Sequence, residues 1–139
     1  MSTKFYIAPY SPTEWSETNY SYVKQLGEFA FDRDKYVEAL RSKWTGTVVT
    51  NLDNETYALY WEIPSSTEKN VIHSGRLSKN LQVVTLQSAP EDFLIEFILW
   101  YRDIVDPQYP LYLLNSYSEN YLVLQTTTTP NEIVQFFET

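Results

Sequence analysis

The chain has 139 residues, 18 of them acidic, 10 basic and one histidine, for a formal net charge of −8. Hydrophobic residues make up 43% and charged residues 20%, a globular balance in a chain long enough to build a core without staples. The acidity disfavours a nucleic-acid coat, zero cysteines exclude disulfides and thiolate chemistry, and three scattered glycines, Gly27, Gly46 and Gly75, exclude phosphate-cradling loops.

Lys4–Ala8 reads as a short strand stopped by Pro9 and Pro12. Ser11–Ser21 is polar and loop-like, with Trp15 and Tyr20 as packing residues, and Tyr22–Phe31 carries no decisive period. Asp32 can cap a helix to about Lys43, since Tyr36, Val37, Leu40 and Trp44 recur at helical spacing and Thr45-Gly46 supplies a stop. Four strands follow: Thr47–Leu52, Thr56–Ile63, Val71–Leu77 and Leu81–Gln87. Their short connections predict an antiparallel meander.

Register follows from the turns. A two-residue turn at Asp53-Asn54 pairs Thr50 with Tyr57 and Val48 with Leu59. The next turn, centred on Thr67, pairs Trp61 with His73, Leu59 with Gly75 and Tyr57 with Leu77. A three-residue turn pairs Leu77 with Leu81 and Gly75 with Val83. Tyr57, Leu59, Trp61 and Ile63 then share one face, and a slip of one residue would invert it.

Ser88-Ala89-Pro90-Glu91 has the pattern of a capping box, and the helix it opens runs to about Val105, before Pro107. Two apolar rows face inward: Phe93, Phe97, Trp100 and Ile104 in one, Leu94, Ile98, Tyr101 and Val105 in the other. Ile95 and Leu99 fall instead on the polar arc, four residues apart on one surface. Three readings fit them: cover by another part of the chain, such as the segment 111–125, contact with a partner or second copy, or simple exposure. A hairpin of Leu111–Leu114 and Tyr121–Gln125 follows, turning around Ser116–Asn120. A second capping box at Thr129 to Glu132 opens a last helix carrying Ile133, Val134, Phe136 and Phe137. The expected architecture is one α+β domain over residues 1–139. It has a mainly antiparallel sheet, a four-stranded meander plus a C-terminal hairpin, packed with about three helices.

The charge is uneven. Residues 80–139 hold eight acids and only Arg102, a net of −7, against −1 for residues 1–79. Such a surface keeps a protein in solution, and it also steers a basic partner. No apolar leader follows Met1, and the apolar run at residues 93–101 is too short to span a bilayer, so a cytoplasmic location and no membrane contact are expected.

Catalytic signals are weak. His73 has no orienting carboxylate in view, and the carboxylate groups Glu91/Asp92/Glu96 and Asp103/Asp106 lack a metal-loop pattern, so no catalytic residue, metal or cofactor is assigned. The 12 tyrosines exceed what interiors favour, and several, such as Tyr109 and Tyr117, fall in loops where they suit an interface. The leading expectation is a small acidic non-enzymatic protein-binding domain, inhibitor- or immunity-like, for a basic partner or a second copy. Its candidate interface is Ile95, Leu99, Glu96, Arg102, Asp103, Tyr109 and Tyr117. The alternative is a small-molecule site or enzyme with an aromatic pocket around His73, Trp61 and Tyr57.

Overall fold

The computed structural model describes residues 4–9, 31–65, 68–87, 89–116 and 120–138. Its elements are β1 (Phe5–Ala8), α1 (Arg33–Lys43), β2 (Val48–Asn51), β3 (Tyr57–Pro64), β4 (Ile72–Ser78), β5 (Val84–Leu86), α2 (Glu91–Ile104), β6 (Leu111–Asn115), β7 (Tyr121–Leu124) and α3 (Pro130–Phe137). The fold is α+β, as the sequence predicts. The seven strands make one antiparallel sheet in the order β2-β3-β4-β5-β1-β6-β7. The expected readings of residues 10–30, Trp15 and Tyr20 included, lie outside the described residues.

β1 lies between β5 and β6. All four of its residues, Phe-Tyr-Ile-Ala, are buried, which suits a central strand rather than an edge. β5 and β6 both run antiparallel to β1, so they run parallel to each other. α2 connects them, which makes a split β-α-β crossover over β1.

The helices pack on one face, where Phe5, Ile7, Leu59, Trp61, Ile63, Leu77, Val84, Leu86, Leu111 and Leu113 meet residues of α1, α2 and α3. The other face carries a smaller cluster of Tyr6, Ala8, Val83 and Leu114, with Tyr112 against it. Beside that cluster the Arg76 guanidinium lies 5.3 Å from the Tyr57 ring and 5.1 Å from the Tyr60 ring.

Asp32 caps α1 by accepting from the Lys35 N–H at 3.0 Å. α3 opens on the complete capping box of Thr129 and Glu132. The box expected at Ser88 is corrected: α2 starts at Glu91 with Pro90 at the N-cap and no side-chain cap bond. The acids Glu91 and Asp92 in its first turn favour the helix dipole instead.

Three registers are also corrected. Ile63, not Trp61, faces His73, and Trp61 faces Gly75, a slip of two residues that leaves Leu59, Trp61 and Ile63 on the helix side. In β2 the pairing is Val49 with Trp61 and Thr50 with Tyr60, because the turn is longer than two residues. The Leu52 and Asp53 N–H groups both donate to the Ala58 carbonyl, and Asn54 Oδ1 accepts from Thr56 and Tyr57. In β5, Leu77 pairs with Val84 and Gly75 with Leu86. Leu81 sits in the left-handed region at φ 64, and Ser78 Oγ accepts from the Gln82 and Val83 N–H groups, which lengthens that turn too. Both odd slips invert a strand, so Val49, Val84 and Leu86 face the helices. A bulge between Tyr57 and Leu59 puts Tyr57 on the opposite face from Leu59.

Trp61 holds the layers together. It is fully buried, stacks on Phe97 of α2 at 5.1 Å and donates its indole N–H to the Tyr36 hydroxyl of α1 at 2.9 Å. The ring lies over Gly75, where a Cβ would come within 2.3 Å of Trp61 Cζ2 and 2.7 Å of the Thr85 carbonyl. Gly75→Ala should therefore destabilise the domain by about 1–3 kcal/mol, the cost of forcing a methyl into a packed core. Urea denaturation checks this, and unchanged stability would show that the indole can move aside.

Candidate functional site

α2 carries most of the expected interface, and its two sides do different things. Arg102 is the only base in residues 80–139. It is turned inward, 4% exposed. Its Nη1 donates to the Tyr109 and Leu124 carbonyls at 3.0 and 3.2 Å, and its Nη2 to the Val105 and Asp106 carbonyls at 3.0 Å each. The guanidinium thus caps the C-terminal end of α2 and ties the 105–110 loop to β7. Burial pulls its pKa down, against the opposing influence of Tyr101 and Asp106. Tyr101 beside it is raised by the same burial, with Arg102 opposing.

All the described acids of this half, Glu91, Asp92, Glu96, Asp103, Asp106, Glu132 and Glu138, are exposed. Among the described residues one cation pairs with any of them: Lys43, whose Nζ is 3.3 Å from Glu96 Oε2. With Arg102 inward, this half offers solvent no base of its own.

Ile95 and Leu99 are half-buried and pack against the core cluster. Leu99 also lines a shallow groove of about 460 Å³ with Lys43, Glu96, Trp100, Arg102, Asp103 and Gln125. The structure thus brings Glu96, Leu99, Arg102 and Asp103 together. Tyr109 is half-buried against the core and gives its carbonyl to Arg102. Tyr117 lies outside the described residues.

A second hollow lies at the other end of α2. It is a cleft of about 70 Å³ whose walls include Trp44, Ile63, Glu68, His73, Asp92, Phe93 and Glu96. Local structure places each wall. Gly46, at φ 89, makes the turn that brings the end of α1 against Pro64. Trp44 follows α1 and stacks on Phe97 at 5.5 Å. Glu68 is fixed in the β3–β4 turn, its N–H donating to Ser65 Oγ at 3.0 Å. His73 stacks on Phe93 at 4.2 Å.

His73, Trp61 and Tyr57 do not share this cleft. His73 lines it, Trp61 is enclosed in the core, and Tyr57 lies across the sheet beside Arg76. The cleft's actual aromatic walls, Trp44 and Phe93, come from the end of α1 and the first turn of α2, a non-local pairing that hairpin reasoning could not reach. Burial lowers the His73 pKa, while Asp92 and then Glu68 oppose that shift.

Among the described residues no group of His, Asp and Glu side chains is placed to hold a metal ion, and no helix is long and apolar enough to cross a membrane. Set against known protein families, curated proteins and solved structures, the chain matches none.

Two outcomes follow for stability. Arg102→Met should cost about 2–3 kcal/mol, because buried carbonyls lose a charged donor. Arg102→Lys should not restore it, since one ammonium cannot span four carbonyls. Thermal melts of both variants check this, and a lysine variant with wild-type stability would contradict it. For His73, the lowered folded pKa means the unfolded chain takes up the proton first. Its contribution is therefore constant above the unfolded value of about 6.5, and stability falls with pH below it until the folded value is passed. His73→Phe should flatten the fall in unfolding free energy as pH drops below about 6.5, and an unchanged slope would rule the assignment out.

Proposed function

We propose that the protein is a non-enzymatic binding domain whose α2 face docks a basic protein, in the manner of an inhibitor or immunity protein. The observation that carries this reading is the inward turn of Arg102, which leaves the exposed acids around α2 without a base from their own half of the chain. The groove at Leu99 and Trp100 adds apolar surface beside Glu96 and Asp103. Together they give a contact its usual parts, an apolar floor with charged rims that set orientation and on-rate. Charge complementarity selects a cationic partner. A second copy is disfavoured on this face, because an isologous contact would set acid against acid. We also propose that the protein acts in the cytoplasm, as one domain over residues 1–139.

The test begins with capture from a lysate of the source organism, followed by affinity measurement with the purified captured protein. The expected partner is basic. It is retained at about 0.05 M salt and released near 0.5 M, where surface charges are screened over a few ångströms. Glu96→Lys with Asp103→Lys should weaken it about tenfold or more, a loss of about 1.4 kcal/mol, with the melting temperature preserved. No retained protein at low salt, or binding indifferent to both salt and charge reversal, would overturn the proposal.

A further inference from the structure

The sheet ends in two edge strands, β2 and β7. We propose that β2 pairs with β2 of a second copy of this chain, antiparallel about a two-fold axis, so that the two sheets join and α1 of each copy flanks the seam. This contact lies apart from the α2 face and does not depend on what docks there.

The backbone supplies the seam. The Leu52 N–H donates to the Ala58 carbonyl at 3.0 Å, which continues the β2–β3 register as a hydrogen-bonded pair. Such pairs alternate along an antiparallel ladder. Val48 and Thr50 therefore also bond to β3, while Val49 and Asn51 turn their N–H and C=O groups outward, where no described strand receives them. β2 has none of the charges, prolines or bulges that guard an edge. An antiparallel self-pairing centred on Thr50 sets Val49 of each copy opposite Asn51 of the other, so the outward groups bond to one another. It also places Thr50 against its own counterpart, and Val48, 54% exposed, against Leu52 of the other copy.

The side chains beside the seam select a second copy as the occupant. Residues 1–79 carry a net charge of −1 against −7 for the remainder, so two copies repel least through the first half of the chain. The β7 edge belongs to the acidic half and is disfavoured for the same reason. α1 lies alongside β2. From its first turn Arg33 reaches Asn51 Oδ1 at 3.4 Å and Asp53 Oδ1 at 2.6 Å, and the turn at Gly46 leads from its other end to the start of β2. Between helix and strand runs an open groove of about 560 Å³, lined by Asp34, Val37, Glu38, Arg41 and Val49. Asp34, Glu38 and Arg41 are exposed and in no ion pair among the described residues. A helix rises about 1.5 Å per residue and a strand about 3.3 Å, so a two-fold axis through Thr50 passes near Val37, the middle of α1. It turns Asp34 of each helix toward Arg41 of the other. A face with both signs in this order is complementary to itself, which a face of one sign is not.

Sedimentation velocity and amide hydrogen exchange on the full chain test this between about 10 μM and about 1 mM, the range of a modest interface. With rising concentration the mass should climb from 16.4 kDa toward twice that value. Protection should rise most at the Val49 and Asn51 amides. Thr50→Lys sets like charges across the axis and should weaken the dimer about tenfold or more, with the melting temperature of the monomer preserved. Arg41→Asp should weaken it about tenfold, and adding Asp34→Arg should restore it, because the swap rebuilds both cross-axis pairs. A chain that stays monomeric at about 1 mM, a dimer indifferent to Thr50→Lys, a charge swap without rescue, or protection that rises at β7 instead would overturn the inference.

Discussion

The close approach of Trp61 to Gly75 is the constraint from which the rest of the helical layer is built. A tryptophan can lie flat on a neighbouring strand only where that strand offers no Cβ, and Gly75 is opposite it in the register. Lying flat, the indole exposes one face to Phe97 and points its N–H to Tyr36, so α1 and α2 are both positioned against the same side chain. From Phe97 the ring contacts continue to Trp44, Trp100 and Phe93, and from Phe93 to His73. The cleft is where this aromatic layer ends, at the margin of the sheet. Its aromatic walls are therefore set by the packing of the core.

Buried hydroxyls show what such packing tolerates. Tyr36 is raised well above the ordinary tyrosine value, by burial first and Tyr101 second, with the Trp61 hydrogen bond opposing. Both tyrosines stay neutral at any physiological pH, so the centre of the protein carries no titrating charge. Charge is confined to the surface, with Arg102 as the exception. That guanidinium is tolerated inside because four carbonyls receive its Nη protons. Its Nε remains without a partner, so the arrangement is a compromise rather than a complete satisfaction.

Local signals were legible where they are local in physics. Asp32 and Thr129 cap helices because a side-chain oxygen reaches an amide three residues on, and that depends on nothing distant. The alternation of Leu59, Trp61 and Ile63 survived a register slip of two because the pleat repeats every two residues. The slips of three at β2 and β5 did not survive. There the turns were lengthened by Asn54 and Ser78 side chains competing for backbone amides, which a count of turn residues does not see. Arg102 was readable as a member of the polar arc of α2, and its burial was not. It occupies the last turn, where a long side chain can bend round the helix end to reach orphan carbonyls. Its four acceptors come from two separate stretches of chain, the 105–110 loop and β7.

The acids of α2 do not all have the same reason to be there. Glu91 and Asp92 sit at the N-terminal end, where the helix dipole favours them. Asp106 follows the helix, and its Oδ1 accepts the Gln108 N–H at 3.0 Å, a local turn contact. Glu96 pairs with Lys43. Asp103 lies near the negative end of the dipole, exposed, with no hydrogen bond or ion pair among the described residues. Folding alone gains nothing from it there and loses a few tenths of a kcal/mol. A residue that opposes stability at a groove beside Leu99 and Trp100 is what the proposed docking role requires. In that proposed complex a cationic partner would reverse the sign of its contribution, since a charge that is unfavourable in the free domain would become complementary there.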